Sequence, residues 1–175
     1  AAPNTDFIIY NIPQLAGVAL TIPLLQEMRK NPKVIGVKNS SMPTQDIQLW
    51  RDEGGEDFVV MNGPDEQFIS GLAMGATGGI GGTYAVMPEL FLKIYDCYRK
   101  GDMELGRKVQ NQVCRIIYAM CSAHGNLYAV MKAILKKQGL NVGGARAPLT
   151  PLGAGDEQIV DRCEQMIKEA VKRYC

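Results

Sequence analysis

The first half of the chain alternates short apolar runs with amphipathic helical patterns, and this alternation limits the fold more than any other feature. Continuous apolar or β-favouring runs occupy residues 7–12, 33–38, 57–61 and 78–86. Because each run is too continuous to alternate inward and outward side chains, each is predicted to be a strand covered on both faces. Helical periodicity covers residues 21–30, 44–53, 66–74 and 88–99. Four strand–helix pairs in succession predict parallel strands joined by right-handed crossovers.

The ends of the predicted strands recur at intervals that resemble those of a barrel. Tyr10, Lys38, Asn62 and Gly81 follow one another after roughly 20–30 residues, and a unit of a (β/α)8 barrel averages about 30 residues. Four such units would form half of a barrel, and an open four-stranded sheet is the alternative that the pattern leaves open. The chain begins without Met and reaches its first strand within a few residues, so we interpret it as a piece of a longer protein.

The rest of the chain carries helical patterns only. Asp102 is predicted to cap a long helix, a second helix is predicted over residues 127–138, and Asp156 is predicted to cap the last helix. The sequence therefore predicts an α/β fold in two segments. Residues 1–100 would form the four βα units, and residues 101–175 would form a C-terminal helical extension packed on them.

Composition and charge exclude several classes of function. The 175 residues include 19 Lys and Arg against 18 Asp and Glu, so there is no electrostatic reason to expect a nucleic acid or an anionic membrane as partner. No apolar run reaches the ~20 residues of a membrane span. Five irregularly spaced cysteines do not suggest a disulfide framework, which favours a reduced, cytoplasmic compartment. A single His and no Cys-x-x-Cys pair offer little for a metal site, and no cofactor is expected.

Two reactive side chains end the first two strands, where parallel α/β folds collect their functional groups. Lys38 follows four uncharged residues that are expected to be buried. Burial disfavours an ammonium ion and so favours a nucleophilic amine, which can form a Schiff base with a carbonyl compound. The alternative is a solvated lysine that merely flanks a strand. Tyr10 could either cap the core or relay a proton beside that amine, since neighbouring strands are ~4.8 Å apart.

Polar and glycine residues end the other two strands. Asp65 and Glu66 begin a helix, where they would either complement the helix dipole or accept hydrogen bonds from several substrate hydroxyls. Ser40 could donate a hydroxyl to a substrate or cap the following helix. Gly81 and Gly82 belong to a glycine run that either lets a carboxylate approach backbone N–H groups or permits a tight turn.

Four motifs together, in this order and at these intervals, resemble the superfamily of N-acetylneuraminate lyases and dihydrodipicolinate synthases. The motifs are Tyr10-Asn11-Ile12-Pro13, Gly36-Val37-Lys38-Asn39-Ser40, Asn62-Gly63-Pro64-Asp65-Glu66, and Gly75-Ala76-Thr77-Gly78-Gly79-Ile80-Gly81-Gly82-Thr83-Tyr84. This superfamily consists of class I aldolases built on TIM barrels. The resemblance extends over essentially the whole chain and implies the C-terminal four βα units of the (β/α)8 barrel with a helical extension.

The resemblance implies a Schiff-base aldolase without metal or cofactor. Lys38 would capture pyruvate as an imine, Tyr10 would shuttle the proton, and Ser40 would hydrogen-bond the substrate beside the imine. The expected partners are a small keto acid or sugar acid, the N-terminal half of the same barrel, and further subunits of a homotetramer.

The resemblance is greatest to the sialic-acid lyase branch of the superfamily. The synthases usually carry an Arg shortly after the Tyr-Asn-x-Pro motif, and this sequence has none there. Gly63, Asp65 and Glu66 correspond to residues that bind the sugar polyol in that branch, and Gly81 and Gly82 are expected to line the same site. Gly82 stands where many members have Ser. The expected reaction is cleavage of N-acetylneuraminate into pyruvate and N-acetylmannosamine. Another pyruvate aldolase, including one like the synthases, and a non-catalytic half-barrel scaffold are the alternatives.

Overall fold

The computed structural model describes residues 4–175, so the first three residues of the predicted segment 1–100 lie outside the described part. The described chain contains one parallel sheet whose strands are ordered in space as they are in sequence. The strands are β1 (Phe7–Asn11), β2 (Val34–Asn39), β3 (Val59–Asn62) and β4 (Gly78–Gly79). The strand–helix alternation and the parallel pairing predicted from the sequence are both confirmed.

Eight α-helices accompany the strands in residues 4–175. They are α1 (Pro13–Ala16), α2 (Ile22–Arg29), α3 (Gln45–Gly54), α4 (Phe68–Ala73), α5 (Pro88–Lys100), α6 (Met103–Cys121), α7 (Leu127–Lys137) and α8 (Asp156–Tyr174). Local sequence explains several starts: Thr21 accepts a hydrogen bond from the N–H of Leu24, and Asp102 accepts one from the N–H of Leu105. The short helix α1 has no counterpart in the predictions. None of the described helices combines the length and apolar character that crossing a bilayer requires.

The chain divides into two compact units at a glycine pair. The first ends at Gly81 and holds the sheet with α1–α4, and the second runs from Gly82 to Cys175 and holds α5–α8. The boundary near residue 100, between the four βα units and the helical extension, stays a prediction.

The two faces of the sheet in the first unit differ in burial. Val37 and Val60 point to one face and are fully buried in a cluster with side chains of α2 and α3, including Leu25 and Trp50. On the opposite face of β1, Ile8 and Tyr10 are 42% and 53% exposed. The prediction of strands covered on both faces is therefore wrong for β1 in the described chain, because only one face has helices packed against it.

The fourth strand is much shorter than predicted. The expected strand over residues 78–86 is wrong beyond Gly79, and a single 3-10 turn occupies Thr83–Ala85. Glycine has a low β-propensity, since it has no side chain to pack on a sheet. The ladder nevertheless continues for one bond, because the N–H of Ile80 donates to the Asn62 carbonyl at 2.9 Å.

In the second unit, the carboxylate of Asp156 joins two loops instead of capping its own helix. The residue before α8 is Gly155, so the predicted N-cap role of Asp156 is wrong. Fully buried, the carboxylate accepts hydrogen bonds from the backbone N–H groups of Gly153, His124 and Gly125 at 2.8–2.9 Å. These bonds hold the pKa of Asp156 well below its ordinary range. Burial by itself would raise that pKa, but the hydrogen bonds have the larger effect.

Candidate active site

The carboxyl ends of the strands bring the predicted reactive residues to one edge of the sheet. Tyr10 of β1 is paired with Lys38 of β2, and Lys38 is paired with Met61 of β3. The next residues, Asn11 and Asn39, are also paired in register. Because successive residues of a strand point to opposite faces, Tyr10 and Lys38 share the more open face, and the asparagines point into the helix-covered face.

Tyr10, Lys38 and Ser40 form a connected group. The Lys38 Nζ lies 4.0 Å from the centre of the Tyr10 ring, and Lys38 is half-buried. The Tyr10 hydroxyl oxygen accepts hydrogen bonds from the Ser40 hydroxyl and the Lys38 ammonium. Partial burial acts to raise the pKa of Tyr10, but these two bonds and the charge of Lys38 together outweigh it, so the pKa is lowered from its ordinary value.

This group has the parts that acid–base chemistry at a carbonyl requires. A primary amine can condense with a ketone or an aldehyde, and a phenol with a lowered pKa can accept and return a proton nearer neutral pH than an ordinary tyrosine. Both groups reach the same open face from adjacent strands.

Ser40 is held in place by backbone bonds and by close contact with Gly63. The Ser40 N–H donates to the Asn11 carbonyl at 2.7 Å, and the Gly63 N–H donates to the Asn39 carbonyl at 2.8 Å. A Cβ at position 63 would overlap the Ser40 hydroxyl and lie 2.6 Å from the Asn39 carbonyl oxygen. Position 63 therefore requires glycine, because a β-carbon has no space beside the serine.

The acidic pair lies just beyond β3, in the one-turn 3-10 helix Asp65–Gln67. Asp65 is 8% exposed, whereas Glu66 is exposed to solvent. The Asp65 carboxylate lies against the Cα of Gly81 so closely that a β-carbon there would overlap it. The first unit thus brings Asp65 and Gly81 together and leaves Glu66 accessible, and Asp65 is held more firmly than its neighbour.

Gly82 belongs to the second unit, where side chains of α7 occupy the space beside it. A β-carbon at position 82 would lie 3.1 Å from a ring carbon of Tyr128 and 3.3 Å from the methyl carbon of Met131. An aromatic ring and a thioether side chain therefore lie where a side chain at this position would begin. Sequence reasoning did not identify Tyr128, because its proximity to Gly82 depends on how α7 packs.

Sequence reasoning also assigned no role to the asparagines. The Asn11 side chain donates to the Asn39 Oδ1 at 2.7 Å, and the Trp50 indole N–H donates to the same oxygen at 2.9 Å. One feature of the sequence could have pointed to them, because an Asn directly follows each of the two reactive residues at the end of a strand. Among residues 4–175, no group of three or more His, Cys, Asp or Glu side chains is arranged to hold a metal ion.

Comparison with known proteins places this geometry in a well-defined group. The model of the dihydrodipicolinate synthetase family matches residues 1–170. An N-acetylneuraminate lyase of Mediterraneibacter gnavus is 59% identical over 175 residues, which are 99% of this chain and 56% of that protein. The chain therefore spans little more than half the length of this curated relative.

Solved structures agree with the sequence comparison. The wild-type sialic acid aldolase of Ruminococcus gnavus superposes with a TM-score of 0.97 at 59% identity, over 99% of this chain and 58% of that one. A catalytic lysine mutant of that aldolase gives a TM-score of 0.98 at 58% identity, over 99% of this chain and 57% of the mutant. The α/β fold is thus the same as that of the matching part of these proteins.

Proposed function

The chain belongs to the dihydrodipicolinate synthetase family, and on that premise we propose that it carries the reactive residues of an N-acetylneuraminate lyase. The observation that carries the proposal is the Tyr10–Lys38–Ser40 group at adjacent strand ends, in a chain 59% identical to such a lyase. The existence of a catalytic lysine mutant of the Ruminococcus gnavus aldolase supports a central role for a lysine. Lys38 is the lysine here that lies beside a tyrosine on the open face.

The proposed reaction begins at the Lys38 amine. The amine adds to the keto carbon of the open-chain sugar acid, water leaves, and a protonated imine forms. Tyr10 then accepts the proton of the hydroxyl on the carbon that will become the aldehyde. The adjacent carbon–carbon bond breaks, and its electron pair moves into the imine to give an enamine. Protonation of the enamine and hydrolysis of the imine release pyruvate and restore the free amine.

Tyr10 is suited to this role by its surroundings. A general base works best when its pKa lies near the operating pH. Hydrogen bonds from Ser40 and Lys38 lower the pKa of Tyr10 in that direction. We assign Ser40 a second role beside the imine, where its hydroxyl can shift from the phenol to a substrate oxygen as charge develops there.

The acidic pair and the glycines are proposed to select a polyol substrate. Carboxylates accept hydrogen bonds from several hydroxyls, whereas they repel phosphates. Asp65, buried against Gly81, would provide a fixed acceptor, and exposed Glu66 a second one. Gly63 and Gly81 would keep Ser40 and Asp65 in place beside the substrate, and this arrangement favours a sugar acid rich in hydroxyls.

We further propose that the four strands are the C-terminal half of an eight-stranded barrel. A parallel sheet is normally covered on both faces, yet β1 exposes Ile8 and Tyr10. In the described residues β1 and β4 each pair with one neighbour, and an open parallel edge invites a further strand. The length of the curated relative supports the same arrangement. The complete site would then need four additional βα units to enclose it.

The assembled enzyme is proposed to be a homotetramer in the cytoplasm. Its five cysteines are irregularly spaced and do not suggest a disulfide framework, as is usual in a reducing compartment. Light scattering of the assembled protein tests the homotetramer. A mass of four subunits is expected, and a stable monomer would contradict the proposal.

The experiment that tests the proposed function measures pyruvate release from N-acetylneuraminate. The chain is combined with the complementary half barrel of the 59% identical relative, and the chain alone is assayed in parallel. A 2-keto-3-deoxy sugar acid without the N-acetyl group serves as the competing substrate. Turnover of N-acetylneuraminate with the higher kcat/KM is expected, and it should disappear in Lys38→Ala. A higher kcat/KM for the other sugar acid would show that N-acetylneuraminate is not the preferred substrate. Full activity in Lys38→Arg would contradict the imine mechanism.

A further inference from the structure

A buried hydrogen-bond network lies directly behind the candidate active site. We call it the asparagine network, and its members are Asn11, Asn39, Ser41, Asp46 and Trp50. The Asn39 Oδ1 accepts from the Asn11 amide at 2.7 Å and from the Trp50 indole at 2.9 Å, and the Asn39 Nδ2 donates to the Ser41 hydroxyl at 2.8 Å. The Ser41 hydroxyl in turn donates to the Asp46 carboxylate at 2.6 Å.

The network connects three elements through one amide group. Asn11 lies on β1, Asn39 on β2 and Trp50 on α3. Asn39 is 0% exposed and Asn11 4%, so water does not compete for these bonds. Both lone pairs of the Asn39 Oδ1 are occupied, which leaves this oxygen no alternative partner. A buried polar network in which every group is hydrogen-bonded specifies one arrangement of the surrounding groups. Apolar contacts are less specific, because they have no preferred direction.

The same residues adjoin the reactive side chains in sequence. Asn11 directly follows Tyr10, and Asn39 lies between Lys38 and Ser40. The Asn11 carbonyl also accepts the Ser40 N–H at 2.7 Å. Because neighbouring residues of a strand point to opposite faces, bonds that fix Asn11 and Asn39 on one face also fix Tyr10 and Lys38 on the other.

The Tyr10 side chain lies on the open face, beside Lys38 of the neighbouring strand. The Lys38 Nζ lies 4.0 Å from the centre of the Tyr10 ring, and hydrogen bonding with Ser40 and Lys38 lowers the pKa of the hydroxyl. A displacement of about 1 Å at a reacting group is enough to reduce a rate by roughly 100-fold. A slip between the ends of β1 and β2 would separate the phenol from both donors at once.

We propose that the asparagine network is a positioning device that holds Tyr10 and Ser40 in reactive geometry. The proposal rests on the function proposed above, because it concerns the same tyrosine. Asn39 and Trp50 touch no reacting atom and act through the strand ends. A purely structural network would stabilise the fold without influencing the acid–base step.

The test compares Asn39→Ala with Trp50→Phe, which removes one donor and keeps an aromatic ring. The buried residue Ile134 of α7, which is not a member of the asparagine network, supplies a control, Ile134→Val, that destabilises the second unit. All are assayed in the chain combined with its complementary half barrel. We expect kcat to fall roughly 10- to 100-fold in Asn39→Ala, several-fold in Trp50→Phe and not at all in the control, with the substrate KM within about threefold.

A second measurement follows the ionisation of Tyr10 by NMR with ¹³C-labelled tyrosine, assigned with Tyr10→Phe. The titration midpoint should rise towards ~10 in Asn39→Ala and should not move in Ile134→Val. An unchanged midpoint together with an unchanged kcat per folded molecule would overturn the positioning role. If the parent protein forms no imine, the proposed function fails, but the Tyr10 titration still decides this inference. If Asn39→Ala does not fold, Trp50→Phe decides it by the same two readouts.

Discussion

Substitution of Gly63 by Ala should damage both the fold and the site, and the size of the effect follows from the contacts at that position. The new β-carbon would lie 2.6 Å from the Asn39 carbonyl oxygen and 2.9 Å from the Ser40 Cα. Ordinary contacts are about 3.5 Å, so backbone atoms of β2 must move by close to 1 Å. Overpacking of this kind costs about 1–3 kcal/mol of unfolding free energy. For a chain of this length that amounts to a fall in Tm of roughly 2–12 °C.

The assay is thermal unfolding with circular dichroism, in the same buffer for parent and variants. Gly144→Ala is the matched control, because nothing lies within 4 Å of a β-carbon there, and its stability should change by less than about 0.5 kcal/mol. Displacement of the Ser40 hydroxyl should also raise the pKa of Tyr10, since one of its two hydrogen-bond donors is lost. Equal Tm values for Gly63→Ala and Gly144→Ala would refute the close packing on which this reasoning depends.

Four further substitutions test the proton relay, the acidic pair and the buried carboxylate of Asp156. Tyr10→Phe should still form the imine but lower kcat by roughly 10²–10⁴, as loss of a general acid–base does; an unchanged kcat would remove Tyr10 from the mechanism. Asp65→Asn and Glu66→Gln should raise the KM for N-acetylneuraminate about tenfold without changing pyruvate capture, and equal effects on both would place the acidic pair elsewhere. Asp156→Asn should lower the Tm at pH 7. Because the folded pKa of Asp156 is lowered, the carboxylate stabilises the fold above its unfolded pKa of ~3.9 and loses this effect as the pH falls through the lower folded value. The difference between parent and variant should therefore shrink in acid, and a constant difference would contradict the ionic role.

Periodicity identified those parts of the fold that are local in sequence. The first three strands were predictable because each is a continuous apolar run, α2 because of its helical periodicity, and α6 because Asp102 supplies a recognisable cap. The length of β4 was overestimated. Its glycines fit a pattern of small and apolar residues, but they give a strand no side chains to pack.

The same distinction between local and distant contacts applies to the candidate site. Register between parallel strands allowed the proximity of Tyr10 and Lys38 to be anticipated, since both are the last residues but one of neighbouring strands. The packing of Tyr128 against Gly82 and the contacts of Asp156 with His124 and Gly125 could not be anticipated, because these partners are more than 30 residues apart in sequence. No periodic pattern encodes contacts of that kind.

Condensation of Lys38 with a keto acid can be trapped chemically, because borohydride reduces an imine to a stable amine. The chain and its complementary half barrel are incubated with pyruvate, reduced, digested and analysed by peptide mass spectrometry. One irreversible pyruvyl adduct is expected, located on Lys38 and retained in Tyr10→Phe. An adduct on a different lysine, or none with both halves present, would contradict it.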